Sequence, residues 1–243
     1  YKNKFDSLFG EFYIGKNPTK KANKYYVLVF DFSGIDTSNN GKTIISFHNK
    51  ILDGIKAFNN SYKSFTEQEI RELATINSSA DLMTNFLRLF ESKIPDKTIF
   101  VLIDEYDHFT NELISFRLTE FKDIVSGNGY VRKFYEAIKT ASRDGIVDRF
   151  FATGVTPVTL DSLTSGFNIA KDFTLDKRFN EMQGFTPEEV KSILEYYEIE
   201  KNYEVSADLE RLYNGSLFSI EADTRIYNSN MVLYFLSEYI YRG

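Results

Sequence analysis

The sequence predicts an α/β fold in which a parallel sheet is covered by helices on both faces and is followed by a smaller helical part. Three runs rich in β-branched and aromatic residues are typical of strands, namely residues 25–32, 99–103 and 149–152. Segments with helical spacing separate these runs, and such alternation indicates a three-layer parallel α/β architecture. The second run is apolar at every position, as expected for a strand buried on both faces.

Helices between the strands are predicted from apolar residues that recur every three or four positions. The pattern covers residues 44–58, 67–77, 81–93 and 130–142, and Ser78 or Ser79 could cap the third helix. Residues 172–176 could add a fourth strand. Thr186 and Pro187 form a typical helix start. We therefore expect an α/β core over residues 1–184 and a helical subdomain over residues 185–243.

Composition limits the class of protein. The 243 residues are 42% hydrophobic, enough for one large domain with a sizeable core. The net charge of −6 argues against a broad nucleic-acid footprint in this chain, and the lack of cysteine excludes disulfides and thiolate metal sites. No segment approaches a membrane span or resembles a signal peptide. Because the chain starts without Met, we expect a fragment of a longer protein.

Two adjacent carboxylates, Asp104 and Glu105, directly follow the most apolar strand. Acidic residues at the carboxyl end of a parallel strand lie where open α/β sheets bind ligands. A hydrophobic strand ending in Asp-Glu is the Walker B pattern of P-loop ATPases, in which Asp holds Mg²⁺ and Glu orients the attacking water. Taken alone, the pair fits an acidic strand end in a solvent loop equally well.

Thr153 follows the third predicted strand and precedes Gly154. A polar residue at the end of a neighbouring buried strand could contact the γ-phosphate or the attacking water, as the sensor residue of many P-loop ATPases does. Without the acidic pair nearby, a threonine in a turn is the simpler interpretation.

Two glycine-containing stretches imitate a phosphate-binding loop. Residues 10–17 match G-x-x-x-x-G-K but place Asn17 where Ser or Thr must reach Mg²⁺, and no strand precedes them. The stretch Gly41-Lys42-Thr43 lies between a strand and a helix, but Asp36 occupies the first glycine position. A carboxylate there would repel phosphate, so we reject the first stretch and disfavour the second.

Six short motifs occur in a characteristic order along nearly the whole chain. They are FGEFYIGK at 9–16, VFDFSG at 29–34, IDEYD at 103–107, TGVTP at 153–157, SGFN at 165–168 and GFT at 184–186. Together they resemble the bacterial AAA-ATPase-like family, whose members often carry a C-terminal PD-(D/E)xK nuclease-like domain. The resemblance implies a P-loop NTPase-like fold whose Walker A loop lies upstream of Tyr1 and whose helical lid begins at Thr186.

The resemblance also implies roles for the candidate residues. Asp104 would hold Mg²⁺, Glu105 would be the catalytic base or water-positioning group, and Thr153 the sensor, with ATP as the nucleotide. A nuclease-like domain would follow Gly243, and we expect a cytoplasmic protein with no membrane contact and no direct nucleic-acid footprint here. The alternative is a non-catalytic interaction or regulatory module that keeps the ATPase scaffold.

Overall fold

The computed structural model describes residues 4–163, 167–199 and 203–242, which form two compact units. The first unit spans residues 1–170 and is α/β, whereas the second spans residues 171–243 and is mainly helical. The division follows Ala170, fourteen residues before the boundary that the sequence suggests at Gly184. Within the described residues, no helix is long and apolar enough to cross a membrane.

The first unit is built on a three-stranded parallel sheet with the order β1-β2-β3. Its strands are β1 (Tyr25–Asp31), β2 (Thr98–Asp104) and β3 (Val147–Ala152), which confirms the three predicted strands. Asp31 lies opposite Asp104, and Ile103 lies opposite Ala152. The carboxyl ends of all three strands therefore meet at one edge of the sheet.

The described part of this unit also contains nine α-helices. They are α1 (Phe5–Phe9), α2 (Tyr13–Lys16), α3 (Asn40–Tyr62), α4 (Glu67–Ala74), α5 (Ser79–Lys93), α6 (His108–Phe116), α7 (Leu118–Val125), α8 (Tyr130–Arg143) and α9 (Val158–Ser162). The four predicted helices correspond to α3, α4, α5 and α8. Ser78, rather than Ser79, caps α5, because its side chain accepts a hydrogen bond from Asp81 N.

One face of the sheet packs on helices α3, α5 and α8. Phe30 contacts Phe134 of α8 with ring centroids 5.6 Å apart, and Tyr26 contacts Phe90 of α5 at 5.3 Å. Gly54 of α3 lies so close to the sheet that a Cβ atom there would be 2.5 Å from the Phe30 ring. An apolar cluster on this side, together with aromatic pairs, forms the core of the first unit.

The opposite face is more open than the sequence predicts. Val29 is 49% exposed and Phe151 is 44% exposed, and burial alternates along β2. The prediction that β2 is buried on both faces is therefore wrong. Its unbroken apolar run arises because the open face also carries apolar residues, such as Leu102, which is half-buried beside Val29 and Phe151 on the paired strands.

The second unit has its own small core. It contains α10 (Pro187–Tyr196), α11 (Tyr203–Tyr213) and α12 (Ser229–Arg242), together with a hairpin of β4 (Asn214–Ser216) and β5 (Ile226–Tyr227). Thr186 and Glu189 form a reciprocal capping box at the start of α10, which confirms the predicted helix start. The hairpin is an element that sequence patterning did not predict.

Residues 172–176 form a turn, so the predicted fourth strand is wrong. The Asp172 carboxylate accepts hydrogen bonds from Thr174 N at 2.8 Å and from Thr174 Oγ1 at 2.6 Å, which closes the backbone locally. A little farther along, Asn180 donates to Thr224 O and accepts from Phe218 N. These bonds attach the segment after Ala170 to the helical unit.

Candidate functional site

The carboxyl edge of the sheet brings Asp104 and Thr153 together. Thr153 Oγ1 donates a hydrogen bond to Asp104 Oδ1 at 2.5 Å, and Glu105 N donates to the same oxygen at 3.0 Å. Within the described residues, Asp104 Oδ2 has no hydrogen-bond partner in the protein. The arrangement therefore orients one carboxylate oxygen through the protein and leaves the other available to a ligand.

Glu105 occupies a backbone conformation that is uncommon for a residue with a side chain. Its φ angle is +53°, in the left-handed region, which costs about 1–2 kcal/mol relative to the right-handed one. The chain therefore turns sharply after β2. The Glu105 carboxylate stays partly exposed, with His108 Nδ1 3.7 Å away, whereas Tyr106 and Asp107 are buried.

Asp107 is fully buried and is surrounded by hydrogen-bond donors. Its carboxylate accepts from Val155 N at 3.0 Å, from Thr156 N at 2.6 Å and from Asn111 Nδ2 at 2.8 Å. Thr156 Oγ1 lies 3.0 Å from Asp107 Oδ2. Burial by itself would raise the pKa of Asp107, but these hydrogen bonds outweigh it and hold the pKa below its ordinary value.

Tyr106 and Gly154 complete the contact between the two loops. Tyr106 N donates to Thr153 O at 3.1 Å, and Tyr106 Oη donates to Thr156 O at 2.5 Å. A Cβ atom on Gly154 would lie 2.3 Å from Asp107 Oδ1 and 2.7 Å from the Tyr106 ring. The loops after β2 and β3 therefore pack so closely that only glycine fits at position 154.

The sequence places Tyr106 and Asp107 only within the motif IDEYD at 103–107 and indicates no role for either residue. The available signal was their position, since both follow the acidic pair directly and a threonine-rich turn follows β3. Sequence spacing cannot show that these two loops touch, because they lie about 50 positions apart along the chain.

A third carboxylate, Asp31, lies at the same edge of the sheet. It is the register partner of Asp104 and accepts a hydrogen bond from Ser33 N at 2.8 Å. Hydrogen bonding from Ser33, with a smaller contribution from the charge of Lys50, lowers the pKa of Asp31. Over residues 4–163, 167–199 and 203–242, no group of three or more His, Asp or Glu side chains forms a preassembled metal site.

Neither look-alike stretch forms a phosphate cradle. Gly10 and Gly15 lie in or beside the short helices α1 and α2 rather than between a strand and a helix. Thr43 is 1% exposed in the first turn of α3, and its hydroxyl donates to Asn39 O at 2.9 Å. Lys42 Nζ lies 3.5 Å from the Asp36 carboxylate. This geometry agrees with rejecting the first stretch and disfavouring the second on their chemistry.

Comparison with protein families identifies the family of this chain. The family model described as Predicted AAA-ATPase matches residues 1–164, which is more than half of the chain. The chain belongs to the AAA-ATPase-like family. No curated protein and no solved structure matches it. The part that matches the AAA-ATPase-like family includes Asp104, Glu105 and Thr153 and ends before the second unit begins.

Proposed function

We propose that the chain is the core of an ATP-hydrolysing domain of the P-loop NTPase class, in which Asp104 and Glu105 act on Mg-ATP. The observation that carries this proposal is the hydrogen bond from Thr153 Oγ1 to Asp104 Oδ1, made between the ends of adjacent parallel strands next to Glu105. Open α/β sheets bind ligands at this edge. Membership of the AAA-ATPase-like family supports the same assignment.

Asp104 suits the position of a Mg²⁺ carboxylate, held directly or through water. Mg²⁺ takes oxygen ligands, keeps several waters and needs only one or two protein carboxylates. The unpartnered Oδ2 of Asp104 fits that requirement, and the lack of a preassembled cluster among the described residues is consistent with so few protein ligands. When bound, Mg²⁺ would neutralise charge on the phosphates.

Glu105 and Thr153 have different tasks in this proposal. The exposed Glu105 carboxylate accepts a hydrogen bond from the attacking water and orients that water toward the γ-phosphate. Thr153 keeps its hydroxyl against Asp104 at rest and offers it to the γ-phosphate or to the attacking water when the nucleotide is bound. The part of the second unit from Thr186 onward is proposed to be the helical lid.

A phosphate-binding loop must complete the site, and the described residues do not supply one. We propose that the full-length protein supplies it as the Walker A loop that the family resemblance places upstream of Tyr1. The backbone N–H groups and the lysine of such a loop provide most of the affinity for the phosphates. Residues 1–243 alone should therefore bind Mg-ATP weakly, and calorimetry showing micromolar affinity would contradict this division of the site.

The test compares Glu105→Gln with Glu112→Gln in the full-length protein. Both changes remove one carboxylate charge beside His108, since His108 Nε2 lies 3.9 Å from Glu112 Oε1. We expect Glu105→Gln to reduce steady-state ATP hydrolysis by at least about a hundredfold while leaving the binding of a fluorescent ATP analogue intact. Glu112→Gln should retain turnover. Normal hydrolysis by Glu105→Gln would remove Glu105 from the mechanism.

The second candidate is a non-catalytic interaction module on the same scaffold. Two observations favour it, namely the lack of a phosphate cradle in the described residues and the exposed apolar side chains of Val29 and Phe151 on the open sheet face. The residues encoded before Tyr1 distinguish the candidates. A strand followed by G-x-x-x-x-G-K-S/T supports the ATPase, whereas any other sequence supports the interaction module.

A further inference from the structure

The Asp107 carboxylate is buried and accepts several hydrogen bonds, and the proposed mechanism does not use it. It is 0% exposed, and it carries a charge because its hydrogen bonds lower its pKa. Burying a carboxylate is costly unless donors satisfy it. Residues 155 and 156 supply most of these donors. The buried carboxylate therefore holds the loop after β3 in place.

The position of this loop determines where the Thr153 hydroxyl points. Thr153 and Gly154 lie between β3 and the two residues that Asp107 holds, so both ends of this dipeptide are fixed. Tyr106 reinforces the attachment by donating through its backbone N–H to Thr153 O and through its hydroxyl to Thr156 O. The Thr153 hydroxyl then meets Asp104 Oδ1 at 2.5 Å.

The turn at Glu105 makes this attachment possible. Glu105 has a φ angle of +53° and begins a turn in which His108 N donates to Glu105 O, and Asp107 within this turn lies in the interior. One short segment, residues 104–107, thus carries the proposed Mg²⁺ carboxylate, the proposed water-orienting carboxylate and the group that anchors the opposite loop.

We propose that Asp107 is a positioning residue for the reaction: it contacts no nucleotide, and it acts by holding residues 155 and 156 so that Thr153 faces Asp104. This inference rests on the proposed ATPase function. A displacement of about 1 Å at a reacting centre can cost about a hundredfold in rate. Loss of the anchor should therefore lower kcat, whereas KM should change little because the anchor makes no contact with the substrate.

The test is a double-mutant cycle of Asp107→Asn and Thr153→Val in the full-length protein, measured by steady-state ATP hydrolysis. Asn keeps the size of the side chain but replaces one acceptor oxygen with an NH₂ group, which faces other donors. We expect Asp107→Asn to lower kcat about tenfold to a hundredfold. If Asp107 acts through Thr153, the double variant should be no slower than Thr153→Val alone.

Asn59→Ala is the matched control. Asn59 also clamps a loop, since its side chain accepts from Phe65 N at 2.8 Å and donates to Phe65 O at 3.1 Å. It lies near the end of α3, close to Tyr62, whose hydroxyl accepts from Val27 N near the start of β1. Its loss should lower the melting temperature without changing kcat, both by itself and in the Thr153→Val background.

The outcomes separate this inference from the function on which it rests. If the double variant loses the product of the two single losses in kcat, Asp107 does not act through Thr153 and the inference is overturned. It is also overturned if Asn59→Ala lowers kcat as much as Asp107→Asn does, because Asp107 would then be only structural. If the unaltered protein does not hydrolyse ATP, the proposed function fails and the inference fails with it. Amide hydrogen exchange at Val155 and Thr156 that is faster in Asp107→Asn but not in Asn59→Ala would support the anchoring role of Asp107 independently of turnover.

A milder change covers the case in which Asp107→Asn does not fold. Thr156→Val removes the hydroxyl that lies 3.0 Å from Asp107 Oδ2 and leaves both backbone hydrogen bonds in place. We expect about a threefold loss in kcat that disappears in the Thr153→Val background. A loss that persists in that background contradicts the role of Asp107.

Discussion

The hydroxyl groups of two tyrosines of the first unit lie in different surroundings. Removing each hydroxyl should therefore have a different effect on the free energy of unfolding. Tyr106 donates its hydroxyl to Thr156 O at 2.5 Å, whereas the hydroxyl of Tyr135 is buried and has no hydrogen-bond partner among the residues that the structure describes. Tyr135 is 1% exposed, and its ring packs against Phe134, Phe150 and Phe167. Replacing each tyrosine with phenylalanine removes one oxygen atom and changes little else.

The magnitudes follow from the surroundings of each oxygen. A buried hydroxyl without a partner costs about 1–3 kcal/mol of desolvation, so Tyr135→Phe should raise the free energy of unfolding by up to about 1 kcal/mol or leave it unchanged. Burial, with smaller contributions from Tyr106 and Asp107, also raises the pKa of Tyr135, so its hydroxyl stays neutral. Tyr106→Phe should lower the free energy of unfolding by about 1 kcal/mol, because Thr156 O loses its donor.

Urea unfolding followed by far-ultraviolet circular dichroism measures the free energy of unfolding of both variants and of the unaltered chain. For a unit of this size, 1 kcal/mol corresponds to about 2–4 °C in melting temperature, so thermal scans provide a second measurement. A loss of more than about 1 kcal/mol in Tyr135→Phe would refute the reasoning, because it would show that the hydroxyl has a partner in the folded protein. Equal losses in the two variants would refute it as well.

Two further predictions concern the contact between the loops. Gly154→Ala should lower the free energy of unfolding by about 1–3 kcal/mol, because its Cβ atom would lie 2.3 Å from Asp107 Oδ1. The control is Gly41→Ala in the first turn of α3, where a Cβ atom meets only an ordinary contact at 3.4 Å. This change should leave the free energy of unfolding unchanged or raise it. Equal stability of the two variants in urea would contradict the close packing. Asp107 has a lowered pKa in the folded protein, so its ionisation stabilises the fold above the unfolded pKa of about 3.9, and this contribution is lost as pH falls through the folded pKa. The difference in free energy of unfolding between the unaltered protein and Asp107→Asn should therefore be constant from about pH 5 to 7 and shrink below about pH 4. A difference that does not change down to about pH 2 would show that Asp107 is not ionised in the folded protein.

Much of the local structure was predictable because its causes are local. Helix starts depend on residues three positions apart, so Thr186 and Glu189 identify the beginning of α10 without any tertiary information. The three strands follow from runs of apolar residues. The same reasoning failed for residues 172–176, where Asp172 bonds to Thr174 and forms a turn, a competing use of the backbone that composition alone does not reveal.

The candidate site was only half predictable for a physical reason. Asp104 and Glu105 are identifiable because they end an apolar strand, and Thr153 because it ends another. Gly41-Lys42-Thr43 looks similar to a phosphate loop in sequence, but the structure buries Thr43 and bonds its hydroxyl to Asn39 O. Whether a polar side chain faces a ligand or the protein interior depends on packing, which spacing along the chain does not specify.

The sequence by itself determined the three strands of the parallel sheet, the main helices between them, the position of the acidic pair at a strand end and the resemblance to an ATPase family, because periodicity, capping and motifs can be read along the chain. Only the tertiary structure decided that Asp107 is buried, that it anchors residues 155 and 156, and that one face of the sheet keeps Val29 and Phe151 exposed. These features arise from contacts between segments about 50 or more positions apart, and a local pattern contains no information about which distant loops will meet.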